Sequence, residues 1–217
     1  MTGRTVRDER ATATRERILA AAVRLFAEHG VTAVSNRQVS EAAGQGNNTS
    51  VSYHFGGKAD LVRAIVRRHN EEIEVLRGRM VARVSDNAGI RDWVACLVRP
   101  PTQYLAELGP PTWFARFNAQ ICTDPAFREI VAEESRSAPA LRTTLERLRA
   151  CLPDLPPGVR EERGAMTRQL MLHAVAEREL ALAEGLPTAR ASWDDATTGL
   201  IDAITGLWLA PTSHEHP

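Results

Sequence analysis

Side chains that can hydrogen-bond are concentrated in one short stretch of the chain. They are Asn47, Asn48, Thr49, Ser50, Ser52, Tyr53 and His54. Amide, hydroxyl and imidazole groups of this kind hydrogen-bond to base edges and phosphate oxygens. Arg37 precedes the stretch and Lys58 follows it, and either cation could pair with a phosphate. The pattern favours nucleic-acid binding, although Tyr53-His54-Phe55 as core and Asn47-Asn48 as a plain loop remain open.

Two short helices must position these side chains. Ser35 and Gln38 have the spacing of a capping box, which predicts that a helix begins here and ends at Gly44. Its amino terminus would attract a phosphate. A second helix should begin at Asn48 or Thr49 and end at Phe55, before Gly56-Gly57. A helix-turn-helix over about residues 35–55 is therefore predicted.

The rest of the chain shows helical periodicity and no useful strand pattern. The N-terminal residues 1–11 are polar and predict an arm, and a first helix should span residues 12–28. A long helix should run from Lys58 to about Val84, followed by helices near 91–108, 112–122, 125–150, 158–185 and 193–209, with Pro125 at the first turn of the third and Pro139 as a possible kink. The fold class is all-α with about nine helices.

Four segments resemble the DNA-binding domain of the tetracycline-repressor family of bacterial transcriptional regulators. They are Arg17–Ala22, Leu25–Gly30, Val39–Gly44 and Tyr53–Leu61. The resemblance implies a homodimer with DNA-binding heads at residues 1–60 and effector-binding and dimerisation domains at 61–217. It places Tyr53 and Lys58 on phosphates and residues 49–52 on the bases. The turn before Tyr53 is one residue longer than the common family pattern, so individual base contacts are not assigned by register.

Two further sets of residues follow from this resemblance. The last two long helices are expected to form the dimer interface, with intramolecular core as the alternative. The residues concerned are Met166, Leu170, Ala174, Leu200, Ile204, Leu207 and Trp208. A pocket for an unknown small-molecule effector is expected among the middle helices, although for each lining residue taken alone the default assignment is core. The candidates are Trp93, Tyr104, Trp113, Phe117, Gln120, Met171 and His173.

Composition excludes several other classes of protein. The 217 residues carry 27 basic and 27 acidic side chains, so the chain is not a simple polycation. Three widely spaced cysteines indicate neither a zinc site nor a disulfide framework, and no cofactor is predicted. Without a signal peptide or membrane span, a cytoplasmic protein is expected. A ligand-responsive repressor of a palindromic operator is the leading hypothesis; an all-α enzyme and a ligand-independent DNA-associating protein are the alternatives.

Overall fold

The computed structural model describes residues 2–47 and 49–212, with the side chains of residues 2–7 left out. Over these residues it contains ten α-helices and no strand. Their bounds are α1 Thr2–His29, α2 Asn36–Ala42, α3 Ser50–Phe55, α4 Lys58–Val81, α5 Ile90–Leu108, α6 Phe114–Thr123, α7 Arg128–Arg136, α8 Pro139–Cys151, α9 Pro157–Ala183 and α10 Trp193–Leu209. The predicted all-α class is confirmed.

Two predictions about helix bounds are wrong. Residues 2–11 form the start of α1 rather than an arm. They lack apolar periodicity but include arginine, glutamate and alanine, which are good helix formers. The predicted helix 125–150 is two helices, because Pro139 disfavours helical geometry at Ala138, whose ψ is 103°. Asp124 accepts a hydrogen bond from the Ala126 amide, so residues 124–127 form a turn and α7 begins at Arg128.

The chain divides into two compact units, each with its own core. The first comprises the chain up to Asn70 together with Trp113–Glu134, and the second comprises Glu71–Thr112 and Ser135 onward. This division differs from the domain boundary at residue 60 that the family resemblance implies, because α6 packs against α1 within the first unit. Two aromatic rings show how it packs: Phe26 of α1 and Phe117 of α6 stack with centroids 6.0 Å apart.

The core of the second unit is built mainly on α5, α8 and α10. Trp93, Val94 and Val98 of α5 pack in one cluster with Leu148, Leu200, Ile201, Ile204 and Trp208. Within that core, the Thr197 hydroxyl donates to the Thr102 hydroxyl at 2.8 Å, so a polar contact joins α10 to α5. No helix among the described residues has the length and apolar character needed to cross a membrane.

Candidate nucleic-acid interface

The start of α2 is fixed by the predicted capping box. The Ser35 hydroxyl accepts a hydrogen bond from the Gln38 amide at 3.2 Å, and the Gln38 side chain accepts one from the Ser35 amide at 2.8 Å. Arg37, in the first turn, is exposed and forms an ion pair with Glu41 at 2.8 Å. A phosphate at this position would therefore compete with Glu41 for the guanidinium.

The turn before α3 is held by its own side chains. The Asn47 carboxamide oxygen accepts hydrogen bonds from the Thr49 amide at 3.0 Å and from the Thr49 hydroxyl at 2.7 Å. The Ser50 hydroxyl donates to the Asn47 carbonyl at 2.7 Å. Ser50 is buried, so its prediction as a DNA contact is corrected: it lies on the packed side of α3, beside Val51. Asn48 lies outside the described residues.

Opposite that packed side, α3 presents a polar face to solvent. Ser52 is exposed, His54 is half-buried, and Tyr53 exposes 81% of its surface. The rings of Tyr53 and His54 meet edge to face with centroids 5.0 Å apart. Tyr53 therefore faces solvent and is open to a partner.

Two side chains that sequence reasoning missed hold α3 in place. The buried Ser40 hydroxyl of α2 accepts a hydrogen bond from the Val51 amide at 3.4 Å. Thr49 makes no side-chain cap, so Ser40 satisfies an otherwise open amide of the first turn. At the other end, the Arg15 guanidinium of α1 donates to the His54 carbonyl at 2.5 Å and lies 4.2 Å from the Phe55 ring centre. The sequence carries one signal for Ser40, which directly follows the buried Val39 of α2. It carries no signal for Arg15.

Lys58 follows α3 and has a structural role in this unit. Its ammonium donates to the carbonyls of Val31 at 2.9 Å and Thr32 at 3.4 Å, in the loop between α1 and α2. Gly56 ends α3 with a φ of +87°, in the left-handed region that favours glycine. Because an ammonium has three donors, one N–H of Lys58 remains for a further acceptor.

The predicted effector residues do not come together in one unit. Trp113, Phe117 and Gln120 belong to the first unit, where the Trp113 indole donates to Glu28 at 3.1 Å and the Gln120 amide donates to the Ala27 carbonyl at 3.1 Å. The second unit holds the others: Trp93, Tyr104, Met171 and His173. Trp93 and Tyr104 are buried and Met171 packs against the core, whereas His173 is exposed on α9.

The predicted dimer residues separate into two groups. Leu200, Ile204 and Trp208 lie inside the core of the second unit, so their prediction as an interface is corrected; apolar periodicity alone does not say which partner covers a helix face. Ala174 and Leu207 are half-buried. Met166 and Leu170 of α9 expose 42% and 38% of their surfaces and remain available to a partner.

Comparisons with known proteins identify a protein family for both the N-terminal and the C-terminal part of the chain. A family model described as "Bacterial regulatory proteins, tetR family" matches residues 18–65, and one described as "Tetracyclin repressor-like, C-terminal domain" matches residues 95–206, about half of the chain. The HTH-type transcriptional repressor AcnR of Corynebacterium glutamicum is 29% identical over 143 residues, which are 64% of this chain and 68% of that relative.

Solved structures share the fold. A TetR family transcription regulator from Marinobacter aquaeolei VT8 superimposes with a TM-score of 0.65 at 16% identity, covering 92% of this chain and 97% of its own. A putative tetR family regulator from Shewanella sp. PV-4 gives 0.60 at 14% identity, covering 91% and 97%. The chain thus belongs to the tetracycline-repressor family of bacterial regulatory proteins, and it is a DNA-binding transcription regulator rather than an enzyme.

Proposed function

We propose that this regulator is a repressor that reads its operator with the exposed face of α3. The observation that carries the proposal is the solvent-facing pair Ser52 and Tyr53 on a helix that Ser40 and Arg15 hold from both ends. Base and phosphate contacts need side chains held in fixed positions, and those two hydrogen bonds supply that rigidity. The relative AcnR of Corynebacterium glutamicum is a transcriptional repressor, which supports this direction of control.

The remaining polar groups have assigned roles in this proposal. Tyr53 and Lys58 contact phosphates, Lys58 through its third ammonium hydrogen, and Arg37 exchanges Glu41 for a phosphate at the start of α2. Ser52 and His54 face the major groove. The turn residues Asn47, Asn48 and Thr49 complete the surface.

The test is a binding titration against the DNA upstream of the protein's own gene, followed by fluorescence anisotropy. Tyr53→Ala removes a proposed phosphate contact, so it should weaken DNA binding. Because the side chain is exposed, the unfolding midpoint should not fall. Leu108→Ala, which truncates a side chain 46% exposed in the other unit, is the matched control. A titration in which both variants bind DNA as the wild type does would contradict the assignment of α3.

We also propose that the protein is a homodimer that binds a palindromic operator. Met166, Leu170 and Leu180 are exposed apolar side chains that share one helical stripe of α9 with the exposed polar side chains of His173 and Glu177. The apolar part of this stripe would be stabilised if a second copy covered it. A two-fold axis would place the two α3 helices on half-sites about one or more DNA turns apart, which requires an inverted repeat.

A charged substitution tests the dimer. Leu170→Glu should shift the protein towards monomer in sedimentation equilibrium, because an unpaired carboxylate would enter an apolar contact. Leu186→Glu, at a residue 53% exposed beyond the end of α9, should leave the oligomeric state unchanged. Equal behaviour of the two variants would place the interface elsewhere.

Finally, we propose that a small molecule bound by the C-terminal domain, residues 61–217, releases DNA from the head, residues 1–60. A ligand can do so only by binding the two states with different affinities. Membership of the family supports this, and α4, which continues from Lys58 to Val81, links the two domains. The cytoplasmic location stays a prediction.

A screen of small molecules against the protein–DNA complex tests the release. If every ligand that binds the protein leaves its DNA affinity unchanged, the regulator is ligand-independent.

A further inference from the structure

Arg15 of α1 is a cation held in place at the end of α3. Its Nη1 donates to the His54 carbonyl at 2.5 Å, and the centre of its guanidinium lies 4.2 Å from the Phe55 ring centre. The side chain is nevertheless exposed. Ordering such a long side chain normally costs conformational entropy when a partner binds. Because these two contacts already restrict Arg15, an anion that meets it would find the guanidinium in position.

Both partners of this guanidinium are neutral, so its charge is not compensated. No ion pair of Arg15 is present within the described part of the chain. The adjacent Glu16 pairs with Arg68 of α4 instead. Asp8 lies on the same face of α1 but two helical turns earlier, about 10.5 Å along the axis, where salt largely screens its charge. An exposed positive charge therefore remains at the end of α3.

The position of Arg15 relative to α3 favours a phosphate over a base as its partner. Phe55 follows buried Val51 by four residues, so both side chains lie on the packed side of α3. Arg15 covers the Phe55 ring and therefore lies at the edge of α3, whereas Ser52 and Tyr53 are on the exposed face. A helix in the major groove has base edges in front of its exposed face and the phosphate strands at its edges.

The guanidinium has enough donors for a phosphate as well as for α3. Of its five N–H groups, one donates to the His54 carbonyl, so four remain. Two parallel N–H groups match two phosphate oxygens, and hydrogen bonds between charged groups of this kind are stronger than neutral ones. Arg15 can therefore bind DNA without releasing His54.

We propose that Arg15 binds a phosphate of the operator backbone beside the end of α3 while it holds that helix in place. The inference deepens the proposed reading of DNA by α3 and rests on it. A phosphate contact carries no sequence information, but it fixes the orientation of the protein on the duplex. One side chain thereby both positions α3 and anchors it to the DNA.

The test is the salt dependence of DNA binding, measured by fluorescence anisotropy with the DNA upstream of the protein's own gene. Each phosphate that a protein neutralises contributes about −0.9 to the slope of log K against log salt concentration. Arg15→Gln should therefore have a slope that is shallower by about 0.9. A rise in salt of about fourfold then costs the wild type about 3.5-fold more affinity than the variant. Loss of a purely structural contact would lower the affinity by the same factor at every salt concentration.

Arg24→Gln is the matched control for this measurement. Arg24 is an exposed arginine of the same helix, nine residues after Arg15, which places it on the opposite face of α1. Its replacement removes the same charge and should leave the slope unchanged. Equal slopes for the wild type and Arg15→Gln, or the same change of slope in both variants, would overturn the proposal.

A second measurement identifies the phosphate itself. Neutral methylphosphonate groups are placed singly along the backbone of the operator. One position in each half-site should weaken binding of the wild type, and this penalty should be absent in Arg15→Gln. If that variant does not fold, Arg15→Lys keeps the charge but not the two parallel donors, so its penalty at that position should be smaller than that of the wild type. Penalties equal to those of the wild type at every position would refute the contact.

These outcomes are distinct from those of the test of α3. If α3 does not read DNA, Tyr53→Ala binds DNA as the wild type does, whatever the slopes are. If only the Arg15 contact is absent, Tyr53→Ala still weakens binding, and the slope for Arg15→Gln equals that of the wild type.

Discussion

Replacing His69 by phenylalanine should make the protein less sensitive to acid. His69 of α4 stacks on Phe114 of α6 with ring centroids 3.9 Å apart and an interplanar angle of 15°. Burial, together with the smaller effect of the neighbouring Arg68 charge, lowers its pKa from 6.5 to about 3. The folded protein therefore keeps this imidazole neutral over a range in which the unfolded chain protonates it.

The sign and size of the effect follow from this difference in pKa. As the pH falls below 6.5, the unfolded state takes up a proton that the folded state refuses, so the free energy of unfolding drops by about 1.4 kcal/mol per pH unit. Between pH 7 and pH 4.5 the loss from His69 alone is about 2.5 kcal/mol, and it ends near the folded pKa. The carboxylates add their own pH dependence, which both proteins share.

The assay is urea unfolding of wild type and His69→Phe at intervals from pH 7 to pH 4.5. Phenylalanine keeps a ring against Phe114 and removes the titration, so the variant should lose less stability on acidification by roughly the amount given above. His29→Phe, at an exposed histidine of the same unit, is the control and should follow the wild type. Parallel curves for wild type and His69→Phe would refute the account of a buried neutral imidazole.

Three further substitutions probe how α3 is positioned. Ser40→Ala should cost about 1 kcal/mol of unfolding free energy and weaken DNA binding, because it removes the acceptor for the first turn of α3; unchanged chemical denaturation would contradict this. Gly56→Ala should lower the free energy of unfolding by about 1–2 kcal/mol, because φ is +87° and the new Cβ would lie 3.0 Å from the Asp60 carboxylate. In the control Gly46→Ala the new Cβ meets nothing within 4 Å, so thermal unfolding should be nearly unchanged. Lys58→Met should lower the thermal midpoint as well as DNA affinity, because the ammonium bonds two loop carbonyls; a midpoint equal to that of wild type would restrict Lys58 to DNA contact.

Local signals made the head predictable from the sequence. The Ser35–Gln38 capping box and the glycine at position 44 act over a few residues, and the structure contains both the predicted cap and a φ of +66° at Gly44. The polar face of α3 followed from the same short-range reasoning. Resemblance to the family was needed to turn that face into a DNA-binding prediction.

Other features of the head and of the second unit depend on segments that are distant in the sequence. Ser50 looked like its polar neighbours, but its hydroxyl bonds back to the Asn47 carbonyl on the packed side. Lys58 donates to carbonyls 26 and 27 residues earlier in the chain, a contact that spacing does not encode. The Leu200–Ile204–Trp208 stripe is apolar because α5 covers it, and periodicity is the same for a core and for a dimer interface.

The most direct test of the central claim is selection of binding sites from a randomised duplex library with the wild-type protein and with Tyr53→Ala and Ser52→Ala. A protein that reads DNA with α3 should enrich one inverted repeat, Ser52→Ala should relax the preference at particular bases, and Tyr53→Ala should weaken binding to all sequences alike. A library that shows no enriched sequence with the wild type, or the same enrichment and affinity with all three proteins, would contradict the assignment of α3 as the reading helix.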